Sequence, residues 1–347
     1  MSLSFLPLLF SFAAFIILSF GILRSFRLKN YKLHNYSIII ACRNEEQNLP
    51  ALFSFLERID YPKDKYEIIL VDDASSDNSL LKIKEFCKDE KNRRYFHFSE
   101  KSTEYKGKKA ALKKATDNAK YDIFLFTDAD CLPPSNWLKS YNNYISNKTG
   151  MVVGFSPEID VSKFRKFTQL MSANIICSTI GLGLPFSAIG RNLAIKKKAF
   201  DKVGGFERIK NYQCGEDKLL LNFIKKTEYK IAYNSDVKVP TRSEKIDFHN
   251  QQKRRYGQFG KSSQLYKILS ILITLFYIYL PIKIFTFRKY EGFIIYFIAF
   301  LIFWISGLIK HKEKFHCMDL ISILIYPYYL IFYSIVGIFW KLEWKKE

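Results

Sequence analysis

Acidic side chains recur at short spacing along this sequence. Asp128 and Asp130 form a D-x-D pair in FTDADC, Asp72 and Asp73 stand together in VDDASSDNS, and Glu216 and Asp217 follow Gly215 in CGED. On an extended backbone, residues two apart point to the same side. The D-x-D carboxylates would then grip one hard cation, Mg²⁺ or Mn²⁺, whose shell phosphate oxygens can complete. Taken alone, a solvated turn before Pro133 and Pro134 fits the same residues. Asp73 can accept from a ligand N–H or hydroxyl while Asp77 caps the helix that follows. Asp217 precedes Lys218–Lys225, so an N-cap is its plain structural role. Gln252, Arg255 and Tyr256 lie at i, i+3 and i+4, which a helix would gather on one face. Lys108 stands in KGKK, just before a helical pattern.

These residues need a scaffold, and the hydrophobic pattern supplies one. Tyr36–Ala41, Tyr66–Val71, Tyr95–Phe98, Ile123–Thr127 and Met151–Phe155 read as strands. Between them, Glu45–Ile59, Ser79–Cys87 and Lys108–Asn118 carry helical spacing. Strand and helix in alternation predict an α/β fold with a mostly parallel sheet and right-handed crossovers. Ligands of such sheets sit beyond the carboxyl ends of the strands. There the sequence places Arg43, Asn44 and Glu45, then Asp72 and Asp73, then Asp128 and Asp130. Acids gathered at the ligand edge of a basic protein call for a cationic partner, most simply a divalent ion.

The ordered set YSIIIACRNEE, VDDASSDNS, KGKKAAL, FTDADC, GRNLAIKKKAF, VGGF, GED and QQKRRY resembles the family 2 glycosyltransferases of GT-A fold (Rossmann-like), over about residues 36–256. The resemblance implies sugar transfer from a nucleotide-sugar, a UDP-sugar in the first instance, with inversion at the anomeric carbon. It assigns the nucleotide to Asp73 with Asp72 beside it, and donor and metal to Asp128 and Asp130. Arg43, Glu45, Lys108 and Arg255 join the donor side. Asp217 becomes the general base beside Glu216, its pKa lifted by burial and by that neighbouring carboxylate. Arg191, Asn192, Gln252 and Tyr256 fall on the acceptor side. Tyr256 departs from the Q-x-x-R-W motif of membrane-integrated members, where Trp stands. The implied cofactor is Mg²⁺ or Mn²⁺, and the acceptor a glycolipid, a polyprenyl-linked sugar or a cell-surface glycan. A processive polysaccharide synthase and a non-catalytic scaffold keeping the fold are the alternatives.

The composition frames this reading. The chain has 347 residues, 54 Lys and Arg against 33 Asp and Glu, and a net charge of +21. With 17% aromatics it is no disordered chain, and 15 Gly with 10 Pro exclude a collagen-like fibre. The six cysteines form no C-x-x-C pair, which argues against a disulfide framework or a zinc site. His311 and His316 read as solvated loop residues. Leu3–Leu23 carries no charge and is followed by Arg24, Arg27, Lys29 and Lys32. That order of flanks predicts an uncleaved membrane anchor with its C-terminal side in the cytoplasm. Three further apolar runs, near residues 268–287, 292–309 and 320–340, predict more spans; Pro281 and Lys283 interrupt the first. The expected organisation is an anchor at 1–23, a cytoplasmic GT-A domain at 24–246, an interfacial segment at 247–267 and a membrane region at 268–347. The basic excess then faces anionic lipid headgroups at the inner (plasma) membrane, and no nucleic acid is expected as a partner.

Overall fold

The computed structural model describes residues 6–25, 32–242, 274–275, 277–279 and 290–339. Helix α1 (Leu6–Arg24) precedes the strands. Nine strands follow among the described residues: β1 (Tyr36–Cys42), β2 (Tyr66–Asp73), β3 (Arg93–Phe98), β4 (Ile123–Phe126), β5 (Thr149–Phe155), β6 (Glu158–Ile159), β7 (Leu193–Lys196), β8 (Lys230–Lys238) and β9 (Thr241–Arg242). Among them lie α2 (Leu49–Glu57), α3 (Ser79–Cys87), α4 (Lys109–Asp117), α5 (Trp137–Asn142), α6 (Lys163–Gly181), α7 (Lys197–Lys202) and α8 (Glu216–Ile224). The last described helices are α9 (Glu291–His311) and α10 (Met318–Phe339). Chain contacts define two units. One comprises Phe20–Asp160 and Ser172–Arg242; the other comprises Met1–Ser19, Val161–Met171 and Ser243–Glu347.

The first unit is built on a seven-stranded sheet of order β3-β2-β1-β4-β7-β5-β8. β3, β2, β1 and β4 run parallel, as the alternation predicts. The Ile, Leu and Val side chains of β1, β2 and β4 are buried on both faces, the signature of a sheet covered by helices. On one face Leu49, Leu52 and Leu56 of α2 and Ile83 and Phe86 of α3 close over Ile38, Ile40, Ile68 and Leu70. The rings of Phe53 and Phe86 stack at 3.9 Å between the two helices. Pattern alone starts α2 at Glu45, but the helix begins at Leu49. Pro50 suits a first turn, where no donor is needed, and Asn44 turns left-handed at φ 54°.

The other half of the sheet departs from simple alternation. β7 inserts antiparallel between β4 and β5, and β8 then pairs parallel with β5. β6 and β9 form a separate two-stranded sheet.

In the second unit, Phe15 stacks on Phe300 at 4.7 Å and Phe167 lies 4.2 Å from the Trp304 ring. Trp304 donates its indole N–H to Asp319 at 3.2 Å, tying α9 to the start of α10. Among the described residues, one helix segment, Phe293–His311, is long and apolar enough to cross a membrane. Phe10–Arg24 and Met318–Tyr333 are shorter apolar helices. Most of the predicted span near 268–287 and all of the 247–267 segment lie outside the described residues. His311 is not a solvated loop residue: it ends α9, buried, with Nδ1 3.0 Å from the Gly307 carbonyl.

Candidate active site

The D-x-D pair follows β4 directly, at the carboxyl edge of the parallel strands. It does not continue the strand as the extended reading expects. β4 ends at Phe126, where its pairing with β7 ends, and the chain turns so that Cys131 N–H reaches the Asp128 carbonyl at 3.2 Å. Arg242 N–H donates to the Asp130 carbonyl at 3.1 Å, and Cys131 bridges Thr241. The pair is thus a turn held down by the β9 segment. Burial and the Asp128 charge raise the Asp130 pKa. Burial also works against ionised Asp128, but the Lys108 ammonium and then Arg191 bring its carboxyl below the ordinary value.

Lys108 is the N-cap residue of α4, and its ammonium donates to Asp128 Oδ1. The same nitrogen lies 3.7 Å from Glu216 Oε1. Lys108 and Asp128 keep 36% and 33% of their side chains exposed and Glu216 only 19%, so the group opens to solvent on one side. Glu216 opens α8 and Asp217 is its second residue. Asp217 is therefore not the cap. That place belongs to Gly215 at φ 84°, a left-handed conformation that glycine takes without a Cβ clash. Asp217 accepts Gly190 N–H at 2.9 Å and Lys218 N–H at 2.7 Å. Desolvation and the Glu216 charge push its carboxyl up to about 6, against those two amides. Lys108, Asp128, Gly190, Glu216 and Asp217 line one pocket, floored by apolar residues such as Leu112, Phe126, Leu193 and Leu220.

The rim at the end of β2 is organised differently: Asp72 and Asp73 do not follow the strand but are its last two residues, paired with β3. Asp72 is fully buried; its Oδ2 accepts Ser75 N–H at 3.2 Å and lies 3.0 Å from His97 Nδ1. Asp73 is 6% exposed, and burial raises its pKa against the nearby Arg43 charge. Arg43 donates to the Asp73 carbonyl at 3.2 Å, and the Glu45 carboxylate receives Asn48 Nδ2 at 2.7 Å. Asp77 is not the N-cap of α3, a place held by Asn78; its carboxylate instead accepts Ser79 N–H at 2.9 Å and Glu46 N–H at 3.1 Å. These contacts clasp the β1–α2 and β2–α3 turns together.

Arg191 stands in a 3-10 turn, Gly190–Asn192, close enough to lower the pKa of both Asp128 and Asp130. Asn192 is not a surface contact. It is fully buried, and its Oδ1 accepts Trp137 Nε1–H at 3.0 Å and Tyr141 O–H at 2.7 Å. Its Nδ2 donates to the Phe155 carbonyl at 2.9 Å, in space that a Cβ on Gly154 would occupy. Buried polar groups demand such partners, and here they bracket the core below the site. Gln252, Arg255 and Tyr256 lie outside the described residues.

Sequence reasoning missed His97 and Lys109. His97 pairs in register with Asp72 across β2 and β3, so a strand alignment could have found it. Lys109 is 1% exposed, with Nζ on the Lys106 carbonyl at 2.6 Å. Nothing in KGKK tells which lysine turns inward.

Asp128 and Asp130 offer hard oxygen donors, which fit Mg²⁺ or Mn²⁺ if phosphate oxygens complete the shell. Among the described residues there is no cluster of three or more His, Cys, Asp or Glu able to hold a metal alone.

Residues 37–204 match the family model Glycosyl transferase family 2. Glycosyltransferase AglE of Haloferax volcanii is 27% identical over 122 residues, covering 35% of this chain and 39% of that protein. A dolichyl N-acetyl-alpha-D-glucosaminyl phosphate 3-beta-D-2,3-diacetamido-2,3-dideoxy-beta-D-glucuronosyltransferase of Methanococcus voltae is 31% identical over 104 residues, covering 30% of this chain and 32% of that protein. The chain thus spans less than half the length of these curated relatives. Among solved structures, mannosyltransferase PcManGT from Pyrobaculum calidifontis, in complex with GDP-Man and Mn²⁺, superposes with a TM-score of 0.61 at 17% identity. That match covers 97% of this chain and 95% of the other, and it shows a common fold. The sequence match to family 2 glycosyltransferases thus covers a little under half of the chain, and the structural match shows the shared fold.

Proposed function

We propose that this protein is an inverting, cation-dependent glycosyltransferase that passes a sugar from a nucleotide-sugar to a hydroxyl of a membrane-associated acceptor. One observation carries the reading. A single pocket joins an acid of the D-x-D turn, a lysine and an acid pair whose second member is pushed up to about 6 by burial and its neighbouring carboxylate.

The residues divide the work by their chemistry. Asp73, Lys108 and Asp128 serve the donor, with Arg43 and Glu45 shaping that rim and Arg255 added from outside the described residues. Asp128 and Asp130 hold the divalent ion, which when bound supplies Lewis-acid neutralisation of the leaving diphosphate. Lys108 and Arg191 add positive charge where negative charge develops. Asp217 takes the proton of the acceptor hydroxyl as that oxygen attacks the anomeric carbon. The bond from that carbon to the phosphate oxygen breaks, and the nucleoside diphosphate leaves. Attack opposite to the departing oxygen inverts the configuration.

A membrane acceptor is supported by the apolar helices and by the lipid-linked substrate in the name of the Methanococcus voltae relative. The proposed location is the inner membrane with the site on the cytoplasmic side. The test incubates membranes holding the protein with a panel of UDP- and GDP-sugars and Mn²⁺ or Mg²⁺, and reads transfer to lipid extract alongside donor hydrolysis. Metal-dependent turnover of one donor is expected. No turnover of any donor with either metal would remove the reading. Product sizing separates single transfer from chain growth; a long ladder would make it a polymer synthase.

A further inference from the structure

Lys108 stands where its charge has two uses. Its ammonium donates to Asp128 and lies 3.7 Å from Glu216, so it bridges the D-x-D turn and the E-D pair. We propose that Lys108 is a latch: it occupies Asp128 in the empty site, opposes divalent cations there, and releases that carboxylate when a nucleoside diphosphate arrives. The inference rests on reading Asp128 and Asp130 as cation ligands.

The argument is one of charge and donor count. An ammonium hydrogen-bonded to a carboxylate uses lone pairs a metal would need, and its own charge repels the ion. A diphosphate offers several anionic oxygens to the three donors of the ammonium, on a flexible four-carbon stem. Lys108 can therefore exchange one carboxylate for phosphate oxygens without losing its charge balance. Lys109 cannot substitute, because its ammonium is tied to the Lys106 carbonyl and its side chain is buried. Arg191 acts electrostatically on Asp128 and Asp130 alike, so it does not distinguish the two. Lys108 is bonded to Asp128 specifically, which makes the order of binding a property of this side chain: nucleotide first or together with the cation.

The test titrates Mn²⁺ into the detergent-solubilised full chain by electron paramagnetic resonance, with and without UDP. In the wild type, UDP should tighten Mn²⁺ binding by about tenfold or more, a typical coupling between two sites. Lys108→Met should bind Mn²⁺ alone about tenfold more tightly than wild type, and the tightening by UDP should shrink to what the phosphate oxygens in the metal shell supply. Lys108→Arg, which keeps the charge, should retain the weak binding of Mn²⁺ alone, and melting curves check that each variant is folded. Equal Mn²⁺ affinity of the Met variant and wild type without UDP would overturn the latch while leaving the transferase reading intact. No Mn²⁺ bound by wild type even with UDP would overturn the cation site, and the latch with it.

Discussion

Two acidic rims lie at the carboxyl edge of the sheet, and they handle their charge in opposite ways. At the end of β2, the carboxylates of Asp72 and Asp77 are engaged by backbone amides of the turn and by His97. After β4, Asp128 meets an ammonium, and a second acid pair faces the same pocket. The first arrangement spends acidity on holding two turns together. The second sets Asp128 against a lysine side chain that stays partly exposed. Similar-looking acid runs thus differ by what neutralises them, amide dipoles in one case and long side chains in the other.

The comparison can be broken most decisively at Asp217. Asp217→Asn should lower transfer by roughly a thousandfold, within the range of general-base catalysis, and leave donor binding near its wild-type value. Substantial turnover by this variant would remove Asp217 as the base. Next comes Asp130→Asn, which should cost about a hundredfold in cation-supported turnover, the scale for losing one electrostatic stabiliser. Its melting temperature should stay close to wild type; a collapse of stability would place this rim with the structural one.

The pH profile sharpens the contrast further. A base works only when deprotonated, and the Asp217 carboxyl is raised from 3.8 to about 6. Log kcat/KM should therefore fall about one unit per pH unit below 6 and level off above it. A profile that stays flat down to about pH 5 would contradict this assignment. The smallest effect belongs to the β2 rim. Asp77→Ala should destabilise the fold by about 1 kcal/mol through its lost amide contacts, with kcat nearly unchanged. A large drop in kcat without a change in melting temperature would erase the distinction between the rims.

Much of this was legible in the chain itself, and unevenly. β1, β2 and β4 announce themselves as apolar runs, because a strand buried on both faces has little room for polar side chains. β7 does not, since LAIK is four residues long and merges into the basic segment of α7. Its antiparallel insertion is a matter of sheet pairing, which local pattern does not encode. The D-x-D and E-D motifs were readable as residue types. That Lys108 and not Lys109 reaches Asp128 follows from the orientation at the start of α4. Asn192 illustrates the converse: an amide beside an arginine looks like a ligand contact, yet its environment is Trp137 and Tyr141.

By itself the sequence determined which side chains are present, roughly where β1, β2 and β4 run, and hence which acids stand near a ligand edge. Periodicity and local backbone preference suffice for that, because they act over a few residues. Tertiary structure alone decided which acid meets which cation, and that burial lifts the Asp217 carboxyl to about 6 while amide contacts lower that of Asp77. Partnering and desolvation arise between segments far apart in the chain: Lys108 with Asp128, and Asp217 with Gly190. Only the closed fold brings them within reach of one another.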